Sequence, residues 1–101
     1  MKYTISYSDE ADQDLENLAY AISVNYKSPL TAFRYIQGII ETIKQMAKHP
    51  EAYPIRFNLS LMQYGMSVRR INYKKMAIIY TVIDDIVYIV RVIPSSMVIS
   101  S

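Results

Sequence analysis

The stretch "SVRRINYKKMAIIYTVIDDIVYIVRVI", Ser67–Ile93, decides the fold. It holds three runs rich in β-branched and aromatic residues, "SVRRINY", "MAIIYTVI" and "IVYIVRVI", the composition that favours strands. Two dipeptides separate them, Lys74-Lys75 and Asp84-Asp85. Each is the length of a tight hairpin loop, and Asp tolerates positive φ better than most residues. Three consecutive strands joined by two-residue turns form an antiparallel meander. The middle run, Met76–Ile83, is apolar on both faces, which predicts a central strand with helices on one side. A bound partner or a dimer is the economical cover for the other side.

Working outward, "PEAYPIRFNLSLMQYGM" before the meander has two prolines, a glycine and no sustained period, so it reads as a loop with a short strand near Ile55–Phe57. Its length points to a functional or partner-contacting segment. Upstream lie two helical patterns. In the first, Ala11, Leu15, Leu18, Ile22 and Tyr26 recur at three- and four-residue intervals after a capping Ser8 or Asp9, ending near Lys27. Its acids Asp9–Glu16 read as a solvated face suited to the positive end of the helix dipole. In the second, Ser28 precedes Pro29 as a start signal, and Phe33, Ile36, Ile40, Ile43 and Ala47 mark one face. Ile39 and Met46 widen that face, and His49-Pro50 stops the helix. "YTISYS", Tyr3–Ser8, alternates as a strand does. Pro94 closes the last strand, and the uncharged tail Pro94–Ser101 reads as an edge strand or a loose end. The expected fold is α+β: an N-terminal strand, an antiparallel helix hairpin, then a three-stranded antiparallel meander forming one sheet, the helices packed on one face. Residues 1–101 read as one domain.

Composition narrows the function. The chain has no cysteine, one histidine and two glycines, so thiolate zinc sites, disulfide frameworks and phosphate-cradling glycine loops are excluded. His49 suits a helix-end cation, and Asp84-Asp85 reads as turn chemistry rather than a metal site. No cofactor is expected. The first residues lack an apolar export signal, and no run reaches the ~18 apolar residues of a membrane span, so a cytoplasmic protein without a membrane partner is expected.

Charge is distributed unevenly. Residues 1–50 carry five Lys and Arg against six Asp and Glu, whereas residues 51–101 carry six against three. The cluster Arg69, Arg70, Lys74 and Lys75 is the strongest functional signal, with Arg56 and Arg91 as extensions and Tyr73 beside it. Strand alternation sends Arg69 and Arg70 to opposite faces, so at most one of them joins the lysines on a given surface. Solubilising charge at an edge and a turn is one reading; an anionic partner, nucleic acid or an acidic protein surface, is the other.

The element order, together with "VRRINYKKMAIIYTVIDDIVYIVRVI" and an early "SDEADQDLENL" with Ala11 and Asp14-Leu15, resembles the RelE/ParE superfamily of bacterial type II toxin–antitoxin toxins over essentially the whole chain. RelE-like members have Tyr-Arg where Met76-Ala77 stand here, and a basic segment where Pro94-Ser95-Ser96 stand. The resemblance is therefore nearer to ParE-like toxins, although the His and Arg that these carry after "RV" are replaced by Pro94 and Ser96. It implies a growth-inhibiting toxin of a plasmid-stabilisation system, acting on DNA gyrase and neutralised by a cognate antitoxin. Hetero-oligomers with the antitoxin, or a homodimer when free, are the implied assemblies. The alternatives it leaves open are a ribosome-dependent mRNA endoribonuclease, which would make the chain an enzyme, and a detoxified antitoxin-binding module. No catalytic residue is assigned; Arg56, Arg69, Arg70, Tyr73, Lys74, Lys75 and Arg91 are the candidate contacts to target or antitoxin.

Overall fold

The computed structural model describes residues 2–57 and 59–98. The elements follow in the order β1 (Thr4–Tyr7), α1 (Asp9–Tyr26), α2 (Pro29–Met46), a 3₁₀ turn (Pro50–Ala52), α3 (Leu59–Met62), β2 (Arg69–Tyr73), β3 (Met76–Ile83), β4 (Ile86–Pro94) and a second 3₁₀ turn (Ser95–Met97). The sheet order is β1-β4-β3-β2. β2, β3 and β4 form the antiparallel meander, while β1 pairs parallel to β4, so the sheet is mixed. The helix hairpin supplies the long crossover that a parallel pair requires.

Local chemistry sets the boundaries. The Ser8 hydroxyl accepts from the Ala11 N–H at 2.9 Å and the Ser28 hydroxyl from the Thr31 N–H at 3.2 Å, each cap contributing about 1 kcal/mol. Lys27 ends α1 with φ 50°, and Lys74 and Asp84 take φ 51° and 55° at the first positions of their two-residue turns. Pro29 stands at the start of α2, where its missing N–H costs nothing.

The principal core lies between the helices and one sheet face: Ala11, Ile39, Ile43 and Met46 pack on Ile71, Ile78, Tyr80, Val87, Ile89 and Val92. The face of α2 is rotated from the expected one. Ala32, Ile39, Ile43 and Met46 are buried, whereas Phe33 is 60% exposed, and Tyr26 on α1 is 69% exposed. A periodicity identifies a stripe, but neighbouring residues at its margin compete for the centre.

The opposite sheet face also differs from expectation. It is covered in part by the chain itself, because Leu61 of α3 and Val98 of the tail pack with Val68, Ala77, Ile79 and Ile93 in a second apolar cluster. The expected strand near Ile55–Phe57 reduces to a single antiparallel bridge between Ile55 and Arg69. The tail turns through Ser95–Met97, its Ser95 N–H donating to the Lys75 carbonyl at 2.7 Å, and Ile99, Ser100 and Ser101 lie outside the described residues.

Candidate functional site at the basic edge

β2 is an edge strand, and its alternation divides the two arginines as expected. Arg69 shares the helix-side face with Ile71 and Tyr73; its Nη1 donates to the Glu51 carbonyl at 3.3 Å and to the Tyr53 carbonyl. Those carbonyls belong to a segment also held by Tyr80, whose hydroxyl donates to the Pro50 carbonyl at 2.6 Å, and by Tyr3, whose hydroxyl donates to Glu51 at 3.0 Å. Arg69 therefore ties the start of the 50–57 segment to the sheet.

Arg70 lies on the other face with Asn72, whose Oδ1 accepts from its Nε at 2.9 Å. Burial, and then the like charge of Arg56, lowers the Arg70 pKa. Arg56 and Arg70 line one groove of about 770 Å³ with Tyr53, Ile71, Asn72 and Tyr73, walled by Gly38, Glu41, Thr42, Gln45 and Met46.

Tyr73 links this groove to the turn lysines. Its ring packs edge-on against Tyr35 at 5.2 Å, and Lys74 Nζ lies 5.4 Å from the Tyr35 ring and 5.5 Å from that of Tyr73. A cation over two aromatic faces at an exposed site such as this is worth ~0.5–1 kcal/mol and keeps the lysine beside the edge. The Tyr35 pKa is raised by burial first and then by Tyr73, against a smaller opposing effect of a backbone hydrogen bond from Lys75. Lys75 shares a neighbouring cleft of about 640 Å³ with Lys74, Tyr35 and Tyr26 at the end of the helix hairpin. Tyr73 reaches this position because residue 38 is glycine: a Cβ there would stand 2.0 Å from the Tyr73 hydroxyl oxygen.

Arg91 stands apart from this group. Its Nε and Nη2 donate to the Asp14 carboxylate at 2.7 and 2.9 Å, with Glu10 at 3.6 Å. Asp14 also accepts the Val92 N–H at 2.9 Å, while Ser8 satisfies the carbonyls of Ile89 and Val90 through its N–H and hydroxyl. β1 is too short to pair with this end of β4, and α1 supplies the missing partners. Asp14 is thus not part of a solvated acidic face. The Arg91 pKa is raised, chiefly by the Asp14 hydrogen bond.

The arrangement can hold anions, carboxylate or phosphate, on guanidinium, ammonium and phenol donors. Among the described residues no group of three or more His, Cys, Asp or Glu could hold a metal ion. Sequence reading missed Gly38, Tyr35 and the pairing role of Asp14. Gly38 did carry a signal, a glycine inside a helical pattern, which marks a packing need or a close approach.

The sequence matches, over residues 5–99, the family described as the ParE toxin of the type II toxin-antitoxin system parDE. Among solved structures the chain is similar to one from the chromosomal ParDE toxin–antitoxin system of P. aeruginosa, with a TM-score of 0.75 and 17% identity over 91% of this chain and 95% of the other. It is also similar to one from the toxin-antitoxin complex RelBE2 of Mycobacterium tuberculosis, with a TM-score of 0.64 and 19% identity over 93% and 99% of the two chains. No curated protein matches the sequence.

Proposed function

We propose that this chain, which belongs to the ParE toxin family of type II toxin–antitoxin systems, is a growth-inhibiting toxin that acts on DNA gyrase in the cytoplasm and is neutralised by a cognate antitoxin. The observation carrying this reading is the family match across residues 5–99. The surface supports a protein partner in two ways. Tyr20, Val24, Leu30 and Phe33 leave large apolar side chains exposed on the helix hairpin, and such patches mark interaction sites. The basic edge offers Arg56, Arg70, Lys74 and Lys75 without a carboxylate partner among the described residues, where the ion pairs are made by Arg91. Acidic groups of an antitoxin complement such an edge, steer its association and cover the surface a target would meet.

The test is induced expression in a bacterial host, with and without the adjacent open reading frame, following growth and double-strand DNA breaks. Arrest with breaks, relieved by co-expression, is the expected result. Arrest without breaks, accompanied by translation-dependent mRNA cuts that Arg70→Ala abolishes, would replace gyrase with an endoribonuclease activity. Unimpaired growth with tight antitoxin binding would make the chain a detoxified module.

A further inference from the structure

We infer that the cleft between the end of the helix hairpin and the β2–β3 turn is a nucleotide site, in which the ammonium groups of Lys74 and Lys75 take the phosphate and the ring of Tyr26 stacks on the base. The inference goes beyond the toxin reading: it assigns a ligand to a second site, and it stands or falls independently of the gyrase target.

The cleft has the size and lining of a ligand site. It encloses about 640 Å³, within the roughly 300–1,000 Å³ of small-molecule pockets. Leu18 and Ile22 supply its apolar part, Tyr26 and Tyr35 its aromatic part, and Lys74 and Lys75 enter from the turn. No Asp or Glu lines it, and neither lysine makes an ion pair among the described residues. Both charges are thus left for a ligand to neutralise. Arg56 and Arg70 line the other groove, to which neither lysine contributes.

The turn that carries the lysines is held in place before any ligand arrives. Lys74 takes φ 51°, and its ammonium lies 5.4 Å from the Tyr35 ring and 5.5 Å from the Tyr73 ring. The backbone of Lys75 is tied on both sides, by a hydrogen bond to Tyr35 and by its carbonyl, which accepts the Ser95 N–H at 2.7 Å. A lysine pair on an ordinary hairpin turn loses side-chain freedom when it binds. Here part of that ordering is already present, which lowers the entropic cost of capture.

The chemistry of the lining selects the ligand. A phosphate monoester carries a charge of about −1.5 to −2 and three acceptor oxygens, enough to satisfy two ammonium groups together. A single carboxylate neutralises only one of them. Tyr26 is 69% exposed at the same cleft, and an open aromatic face beside cations is what an unpaired base stacks on, whatever its identity. A phosphate and a flat ring on one molecule make a nucleotide, free or within a single strand.

The test is titration of the isotope-labelled full chain with adenosine monophosphate, adenosine, inorganic phosphate, a short oligo-dT and poly-glutamate, following backbone amide signals. Adenosine monophosphate should move the signals of Tyr26, Tyr35 and Lys75, and should bind more tightly than either adenosine or phosphate. Lys74→Gln and Lys75→Gln remove charge and should each weaken it by about tenfold or more. Tyr26→Ala should reduce its affinity to that of inorganic phosphate. All three side chains are exposed, so the signals of the core should stay where they are in each variant. Oligo-dT binding more tightly than the mononucleotide would uphold the site as one for a nucleic acid strand; equal or weaker binding would uphold it as one for a free nucleotide. Shifts centred on Arg56 and Arg70, no binding of any nucleotide, or poly-glutamate binding as tightly as the nucleotide and unaffected by Tyr26→Ala would each overturn the inference and leave the toxin reading standing.

Discussion

At the scale of single residues, two positions outside the basic cluster decide where its neighbouring cations lie. Gly38 gives Tyr73 room to lie against α2, and Tyr73 in turn holds Lys74 between two rings. Gly38→Ala gains helix propensity of about 1 kcal/mol but forces the Tyr73 ring out, at a cost of about 1–3 kcal/mol. A net loss in denaturant unfolding is expected, turning into a gain when Tyr73 is also replaced by alanine. Destabilisation that persists in the double variant would place the constraint elsewhere. Asp14 is the second. It carries two donors of Arg91 and the Val92 N–H, so Asp14→Ala should cost about 2–4 kcal/mol by leaving a half-buried cation and a peptide group unpaired. Asp14→Asn should lose less, because an amide oxygen can still accept from Val92; equal losses would mean that charge alone matters. Asp14 was hidden in a run of acids, and only the contact across 77 residues to Arg91 distinguishes it from its neighbours.

At the scale of elements, the segment between the helices and β2 is the least regular part of the chain and the one that closes the second sheet face. α3 is one turn long and cannot stand by itself. It is held because Leu61, 1% exposed, enters the cluster formed by Val68, Ala77, Ile79, Ile93 and Val98. Leu61→Ala should cost about 2–4 kcal/mol and speed amide exchange on that face of β3, leaving the helix-side core protected. Exchange that accelerates equally on both faces would show one cooperative core instead of two. The sequence did reveal the doubly apolar β3 and so predicted that its second face needs a cover. It did not reveal that α3 and Val98 provide one, because a single turn with two prolines upstream has no period long enough to detect. The caps at Ser8 and Ser28 and the two-residue turns were legible, since each depends on residues adjacent in sequence.

At the scale of the whole molecule, aromatic hydroxyls tie distant segments together and make stability sensitive to alkali. Burial pushes the Tyr80 pKa up to about 12, and those of Tyr3, Tyr7 and Tyr35 are also raised. The unfolded chain loses the Tyr80 proton near the ordinary value of 10 while the folded chain retains it, so the native state binds more protons and its stability falls as pH rises from about 10 to about 12. The loss attached to Tyr80 is on the order of 2–3 kcal/mol. Unfolding midpoints measured across that range should fall steeply, and Tyr80→Phe should flatten the slope; an unchanged slope would remove Tyr80 as its origin. Sequence by itself determined the element types, their order, the antiparallel meander and the basic character of its surroundings, because propensity, capping, turn length and alternation act between near neighbours. Only the tertiary structure decided which cations share a surface: it bound Arg69 to the Glu51 and Tyr53 carbonyls, gave Arg91 to Asp14, and left Arg56 and Arg70 together in one groove at the β2 edge. Pairings of that kind join residues far apart in the chain, and they are settled by how the layers pack and where each strand ends.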